Sequence, residues 1–385
     1  MLDMEVVKPD RDVMDMLLQE GGEPFFHCYQ CGLCTGTCPW NLVKEFPLRK
    51  LIHQTMLGLV DFESENVWAC VGCKLCVERC PRGVDVIQIM RSIRRAIFGL
   101  GIAPITDSLR ITAKNIAAMG NPLGENREKR SDWAKGLNVK KFTKETEILY
   151  FPCCYQSYDS SLRRVARATV DILQKANVDF GILGSELVCC GESIRKAGAE
   201  SVYQSLAQSN INTFKEAGVK KIVVTSPHCF HTFRDEYPEF GGQFEVYHIS
   251  QYIAQLIDDG KLKFTKELKK KVTHHDSCCL GRYAGIYEEP RIVLNSIPGL
   301  ELVEMRRNRE NALCCGGCAG RIWLETKKGE RFSELRIQEA VETGAEMLVT
   351  HCPYCMMNFE DALLGMGKNP PIEVRDITEL VQMAL

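Results

Sequence analysis

The sequence predicts an α+β multidomain protein, with a helical N-terminal domain followed by two copies of one α/β unit. Three observations predict it. Twenty cysteines lie in tight groups along 385 residues. Around the first two groups, apolar residues recur at helical spacing. The second half of the chain can be laid on itself with its cysteines in register.

Composition bounds what such a protein does. With 45% hydrophobic and 25% charged residues, the chain has apolar mass for two or three domains. A net charge of −2 gives no reason to expect a nucleic-acid partner. The longest apolar runs, such as "AIFGLGIAPI" from Ala96, are shorter than the roughly 18 residues of a spanning helix. The start, "MLDMEVVKPD", has neither the basic nor the apolar region of an export signal. The expectation is a cytoplasmic protein, peripheral on a membrane only through a partner. In that compartment so many cysteines argue for metal ligands over disulfides.

The first domain is expected over residues 1–100. "CYQCGLCTGTCP" sets Cys28, Cys31, Cys34 and Cys38 in C-x2-C-x2-C-x3-C-P spacing, and "CVGCKLCVERCP" repeats it with Cys70, Cys73, Cys76 and Cys80. Such loops turn three thiolates toward one cubane, while the fourth, before Pro39 or Pro81, reaches the neighbouring one. The expected sets are Cys28, Cys31, Cys34 and Cys80 for one [4Fe–4S] cluster, and Cys70, Cys73, Cys76 and Cys38 for the other. A zinc ribbon is the alternative, but one zinc needs four ligands and no doubled pattern. In "EFPLRKLIHQTMLGLV", Leu48, Leu51, Ile52 and Met56 give a helix started near Pro47 and ended by Gly58. In "VIQIMRSIRRAIFGLG", Ile89, Met90, Ile93 and Ile97 give another, with Arg91, Arg94 and Arg95 expected on a solvated face. The domain therefore reads as a helical ferredoxin-like fold. Residues 101–146, with "GNPLGENREKRSD", read as a linker that includes one short helix, "SLRITAKNIAAM".

The repeated units are expected over residues 147–260 and 272–385. "ILYFPCCYQSY" from Ile148 matches "THHDSCCLGRY" from Thr273, "LVCCGES" matches "ALCCGGC", and "VVTSPHC" matches "LVTHCPYC". The spacings agree, since 189 − 153 and 314 − 278 both equal 36. Strands are expected in "EILYF", "KIVVTS", "FEVYHI", "KVTHHD", "LELVEM", "EMLVTH" and "IEVRDI". Helices are expected in "SLRRVARATVDILQKA", "AESVYQSLAQSNINTFKEAG" and "RFSELRIQEAVETGAE". Strands alternating with helices imply parallel, Rossmann-like units. Cysteines at the strand ends would then gather at one sheet edge, where such folds place ligands. The lysine-rich "KLKFTKELKKKV" reads as a solvated connector.

In the second unit Cys278, Cys314, Cys315, Cys352 and Cys355 come from three such loops, and Gly316 and Gly317 let the backbone pass close to a bulky group. Five thiolates are one more than a zinc ion or simple cubane uses. Cys279 and Cys318 are extra, either ligands or small packing residues. His274, His275 and His351 flank the site, as hydrogen-bonded structural residues or, for His275, as a proton donor. Arg282 and Arg321 would neutralise thiolate charge or attract an anion. No G-x-G-x-x-G follows an expected strand, so a flavin or nicotinamide belongs to another chain. In the first unit Cys153, Cys154, Cys189, Cys190 and Cys229 form the metal set, but Ser226 stands where the second unit has Cys352. A [4Fe–4S] cluster fits there, as does zinc with help from His228 or His231.

Across about residues 20–383 these motifs make the chain resemble the D-type subunit of heterodisulfide reductases. The front resembles their C-type helical-ferredoxin subunit, and the rear their B-type subunit with two cysteine-rich "CCG" domains. The resemblance implies a noncubane [4Fe–4S] cluster at Cys278, Cys314, Cys315, Cys352 and Cys355. It also implies a disulfide substrate cleaved in one-electron steps, with Cys314, Cys315 and His275 as the catalytic candidates. The implied role is an oxidoreductase subunit relaying electrons to that centre inside a larger electron-transfer or bifurcating complex. A flavoprotein, a ferredoxin- or hydrogenase-type subunit or a membrane cytochrome subunit would be its partner. The same module recurs in iron–sulfur subunits linked to lactate, glycolate and glycerol-3-phosphate oxidation and to benzoyl-CoA reduction. A pure relay subunit without its own substrate site is therefore the alternative, and a metal-bound redox sensor or scaffold a second.

Overall fold

The computed structural model describes residues 8–367 and 370–385. The first seven residues, on which the reading of the chain start partly rests, lie outside the described residues. No helix among the described residues is long and apolar enough to cross a membrane.

The front of the chain is helical. Helix Val86–Leu100 is started by Asp85, whose carboxylate accepts from the Ile87 and Gln88 amides, and is ended by left-handed Gly101. Ile89, Met90, Ile93 and Ile97 form its buried stripe. Its arginines depart from the expected solvated face. Arg94 is 1% exposed and donates to the carbonyls of Val67 (2.9 Å) and Cys70 (2.8 Å) in the front domain. It also donates to Lys196 (3.1 Å) and Ala319 (3.2 Å) in the two rear units. A buried guanidinium persists only when its donors are used, and here they join three parts of the molecule. Gly198 makes the approach feasible, since a Cβ there would lie 2.4 Å from the Arg94 carbonyl carbon. Arg95 pairs with Glu200, and Arg91 faces Glu236 at 3.8 Å.

Behind the helices stand two four-stranded parallel sheets. The first has the order β2-β1-β3-β4, with β1 Ile148–Phe151, β2 Phe180–Gly181, β3 Lys221–Val224 and β4 Glu245–His248. The second has the order β6-β5-β7-β8, with β5 Lys270–His274, β6 Leu300–Val303, β7 Met347–Thr350 and β8 Glu373–Asp376. The two orders are the same order, each unit placing its first and third strands at the centre. Two cysteine loops of each unit leave the C-terminal ends of those central strands, at the point where the strand order reverses, and the third follows the adjacent edge strand. Strand β2 has only two residues, too few for a sequence pattern. The sheets share a core in which Tyr150, Val170, Val223, Ile253, Val272, Val349 and Leu380 are all fully buried.

Residues 101–146, expected as a linker, carry helix Asp107–Met119 and the 3-10 stretch Arg127–Ala134. Arg130 and Trp133 of that stretch are buried, and Trp133 meets Tyr150 edge-to-face with ring centres 5.8 Å apart. In "KLKFTKELKKKV" the lysines are mostly exposed, while Leu262 is buried.

Candidate metal centres and the cleft at Cys315

Both front loops use the same backbone device. Gln30 and Gly32 in the first, and Gly72 and Lys74 in the second, take left-handed φ values of 64°, 83°, 62° and 67°. Two such turns curl each loop so that its thiols face one space. Cys28, Cys31, Cys34 and Cys80 line one cavity of about 20 Å³. Gln30 donates to Cys28 Sγ at 3.3 Å and the Val84 amide to Cys80 Sγ at 3.3 Å. Cys38 crosses to Cys70 and Cys73, and burial pushes its thiol well above the usual range. Cys76 faces the same three thiols. The crossed sets expected from the spacing are thus brought together in space.

The second front set abuts the second rear unit. Cys73 faces Cys314, a contact that lowers the Cys73 thiol to about 7. Arg282, 5% exposed, donates to the carbonyls of Cys73 (2.6 Å) and Ala312 (2.8 Å). Burial opposes its charge, but the Cys73, Cys278 and Cys314 sulfurs around it outweigh burial. The neutralising role expected of Arg282 matches this placement. Arg321 instead stands over the Trp40 ring at 5.6 Å, where burial lowers it to about 10.

In the second unit, Cys278 Sγ lies 3.2 Å from Cys318 and 4.0 Å from Cys314, while Cys355 lies 3.3 Å from Cys315. Cys318 therefore sits within the sulfur set. Gly316 turns the loop at φ 95°, and its amide reaches Cys314 Sγ at 3.4 Å. Arg336 Nε donates to His275 Nδ1 at 3.2 Å, so the His275 proton is on Nε2, and a ring nitrogen of His275 lies within 4.8 Å of the Cys315 and Cys355 sulfurs. Burial holds the ring below its ordinary pKa, and a guanidinium on the other nitrogen also disfavours a second proton. His275 is a fixed N–H donor. His274 and His351 bond each other at 3.0 Å, and His351 reaches Ser277 at 2.8 Å, which is the structural arrangement. A cleft of about 260 Å³ reaches Cys315 and Gly316, lined by Trp40, Arg321, Trp323 and Phe332 among others.

The first unit brings Cys153, Cys154, Cys189, Cys190 and Cys229 around one cavity with Ser226. Its volume is about 20 Å³. Arg130 donates to Cys154 Sγ at 3.5 Å and to the Pro152 carbonyl at 3.4 Å. Neither histidine expected to help zinc offers it a nitrogen. His231 bonds Asp235 at 2.8 Å. His228 turns its Nδ1 to Glu192 (3.0 Å) and Cys279 (3.5 Å) and its Nε2 to Cys318 (3.9 Å), both thiols of the second unit. Burial opposes the His228 charge, and Glu192 raises its pKa well above the ordinary value. Lys196 closes the buried network at 2.5 Å from Glu192. Sequence reasoning missed this crossing. Its signal was that His228 and Tyr354 hold equivalent places in the repeat; they pack against each other with ring centres 4.4 Å apart, and Tyr354 lines the first unit's cavity.

The donor sets fit iron–sulfur groups. They are soft thiolates without ligating carboxylates, backed by buried arginines. Beside the rear sets, Arg282 Nη2, His275 Nε2 and Ser226 Oγ are buried without hydrogen-bond partners, as expected of groups that face an inorganic core.

Comparisons with known proteins agree. The "Cysteine-rich domain" family matches residues 148–234 and again 272–360, and the "4Fe-4S dicluster domain" family matches residues 24–84. The chain is 36% identical over 337 residues to the EtfAB:quinone oxidoreductase of Syntrophomonas wolfei, covering 84% of this chain and 47% of that protein. It thus spans about half that relative's length. It is 30% identical over 388 residues to the D-type subunit of the dihydromethanophenazine:CoB–CoM heterodisulfide reductase of Methanosarcina barkeri, covering 93% of each. A hypothetical protein from Helicobacter pylori shares the fold, with TM-score 0.56 and 9% identity over 97% of this chain and 72% of that one. Fold and donor sets define an iron–sulfur protein with a dicluster front and two cysteine-rich rear domains. The chain belongs to the family of D-type heterodisulfide reductase subunits.

Proposed function

We propose that the chain is an electron-transferring oxidoreductase subunit whose front sets serve the second cysteine-rich domain, where a disulfide enters the cleft at Cys315. The observation that carries this reading is the cleft that reaches Cys315, on the same domain whose Cys314 faces Cys73. Cys28, Cys31, Cys34 and Cys80 would hold one [4Fe–4S] cluster, and Cys38, Cys70, Cys73 and Cys76 the other. Cys278, Cys314, Cys315, Cys352 and Cys355 would hold the noncubane cluster, with Cys318 beside them. Bound there, such clusters supply one-electron transfer, and a disulfide takes up two electrons and two protons to give two thiols. Trp40, Trp323 and Phe332 give the cleft an apolar wall, and Arg321 offers charge to an anionic substrate. His275 orients its Nε2–H toward Cys315 and holds no loose proton. Cys153, Cys154, Cys189, Cys190 and Cys229 would hold a [4Fe–4S] cluster or zinc. The partner is another redox subunit, with a flavoprotein favoured because this chain lacks a dinucleotide fingerprint.

A second reading, relay without a substrate site of its own, draws support from Ser226 and from the quinone oxidoreductase relative. Iron, sulfide and zinc content with EPR on anaerobic protein separates the two. About eight irons belong to the front sets and about twelve to sixteen to the loaded chain. A new paramagnetic signal on adding disulfide supports catalysis at Cys314 and Cys315. Full loading with no such signal leaves the relay.

A further inference from the structure

We propose that Ser226 Oγ is itself a donor to the centre of the first cysteine-rich domain, which makes that centre an iron–sulfur cluster with one oxygen-ligated iron. The inference rests on the reading that this thiol set holds metal, and it replaces the choice between cluster and zinc with a definite species.

Backbone conformation comes first. Ser226 has φ −121° and ψ 124°, and its counterpart Cys352 has φ −138° and ψ 124°. Each follows a central strand and precedes a proline that opens a helix. The two side chains therefore leave the chain in the same way, and Ser226 stands where a ligand stands in the second unit.

The hydroxyl is also unused. Ser226 is 1% exposed, its Oγ has no hydrogen-bond partner, and it lines the cavity of the five thiols. Serine before a helix ordinarily caps it, yet Ser226 makes no capping bond to Pro227–His231. A buried hydroxyl left unpaired is costly. A metal at the cavity wall gives its lone pair a use.

The cavity matches the front set's in size, each holding about 20 Å³. Among the described residues, no three thiols of this set lie within 4.8 Å of one another, nor do three from either front set. In this spacing the set resembles the front sets. Arg130, buried beside Cys154, offsets the charge of such a set. Oxygen is a harder donor than sulfur and favours ferric iron, so the site has one distinct iron and a lower potential than an all-sulfur counterpart.

Mössbauer difference spectra and redox-titrated EPR on the anaerobic, ⁵⁷Fe-loaded full chain test this in wild type, S226A, S226C and C229A. The expected result is one first-centre iron with an oxygen-type isomer shift. That component is lost in S226A and becomes sulfur-like in S226C, with a higher midpoint for this centre. The unchanged EPR of the front sets certifies folding in each variant. If C229A keeps all the wild-type iron, the set holds no iron and the underlying reading falls with the inference. If C229A loses iron while S226A and S226C match the wild-type spectrum, the thiols alone hold the cluster and only the inference falls. Stoichiometric zinc lost in C229A overturns it as well.

Discussion

The two cysteine-rich domains share strand order, loop spacing and a buried arginine beside their thiols, yet they present their sulfurs differently. In the second, pairs of sulfurs lie 3.2–4.0 Å apart, two histidines reach them, and a cleft leads from the surface to Cys315. In the first, the sulfurs stand wider, a serine replaces one, and the cavity is lined by Tyr155, Trp323 and Tyr354. His228 also lines it, but directs its nitrogens to the neighbour's sulfurs. Duplication here has produced one domain whose thiols are reached by a cleft and one whose thiols line a small cavity.

The sharpest break of that comparison is the pair Cys314→Ala and Cys190→Ala. Each is expected to remove about four irons. Only Cys314→Ala abolishes the disulfide-dependent EPR signal; loss of that signal in Cys190→Ala instead would reverse the roles assigned to the domains. Next come the arginines. Arg282→Met leaves its surrounding thiolates uncompensated and is expected to cost about 3–5 kcal/mol in denaturant unfolding. It also slows reduction of the second centre by the front sets. Arg130→Met has a similar cost but spares that reduction, as rapid freeze-quench EPR would record.

His228→Leu cuts the bridge between the domains. It leaves Glu192 with Lys196 and Ser193 and is expected to cost about 1–3 kcal/mol. The midpoint of the second centre shifts while that of the first stays, and His228→Gln restores part of both. A shift confined to the first centre would place His228 with its own domain after all.

The smallest effect concerns two equivalent helix caps. His248 and Asp376 end β4 and β8, and each accepts from the following helix. Burial lowers His248 to about 3 and raises Asp376 to about 7. Folded Asp376 thus binds a proton that the unfolded chain, with a pKa of about 3.9, has lost. Its contribution to stability is full below about pH 4 and declines as pH rises toward 7. Folded His248 sheds a proton that the unfolded chain keeps, so its contribution declines as pH falls below about 6.5. Asp376→Asn should therefore gain on wild type by about 1 kcal/mol between pH 6 and pH 8. Urea midpoints across that range check it, and parallel pH profiles would show that Asp376 does not titrate there.

Much of this is legible in the sequence because cysteine spacing and strand periodicity are local signals. Six of the eight strands stand within the expected runs and β5 starts one residue before its own, and the crossed front sets follow from the proline after each fourth cysteine. What is not legible depends on contacts between distant segments. Arg94 reads as surface charge on a helix, and only the fold reveals carbonyls from three regions around its guanidinium. Arg130 lies in a polar stretch that reads as linker until Trp133 anchors it on Tyr150. Proximity in sequence assigns His228 to the thiols of its own unit, whereas packing of the repeats turns it to the other set.

Arg94 has one more consequence. Two of its four carbonyl acceptors belong to the rear domains, so the front domain cannot be lifted out as a self-sufficient electron carrier. An isolated front fragment would expose a charged hole where Lys196 and Ala319 had been. During synthesis this domain emerges before the rear ones, but its longest helix finds its last partners only after residue 319 has been added. Placement of the Cys70 loop, whose carbonyl Arg94 also binds, is thereby tied to completion of the rear domains. A half-built chain lacks the contacts that set this loop against the rest of the molecule.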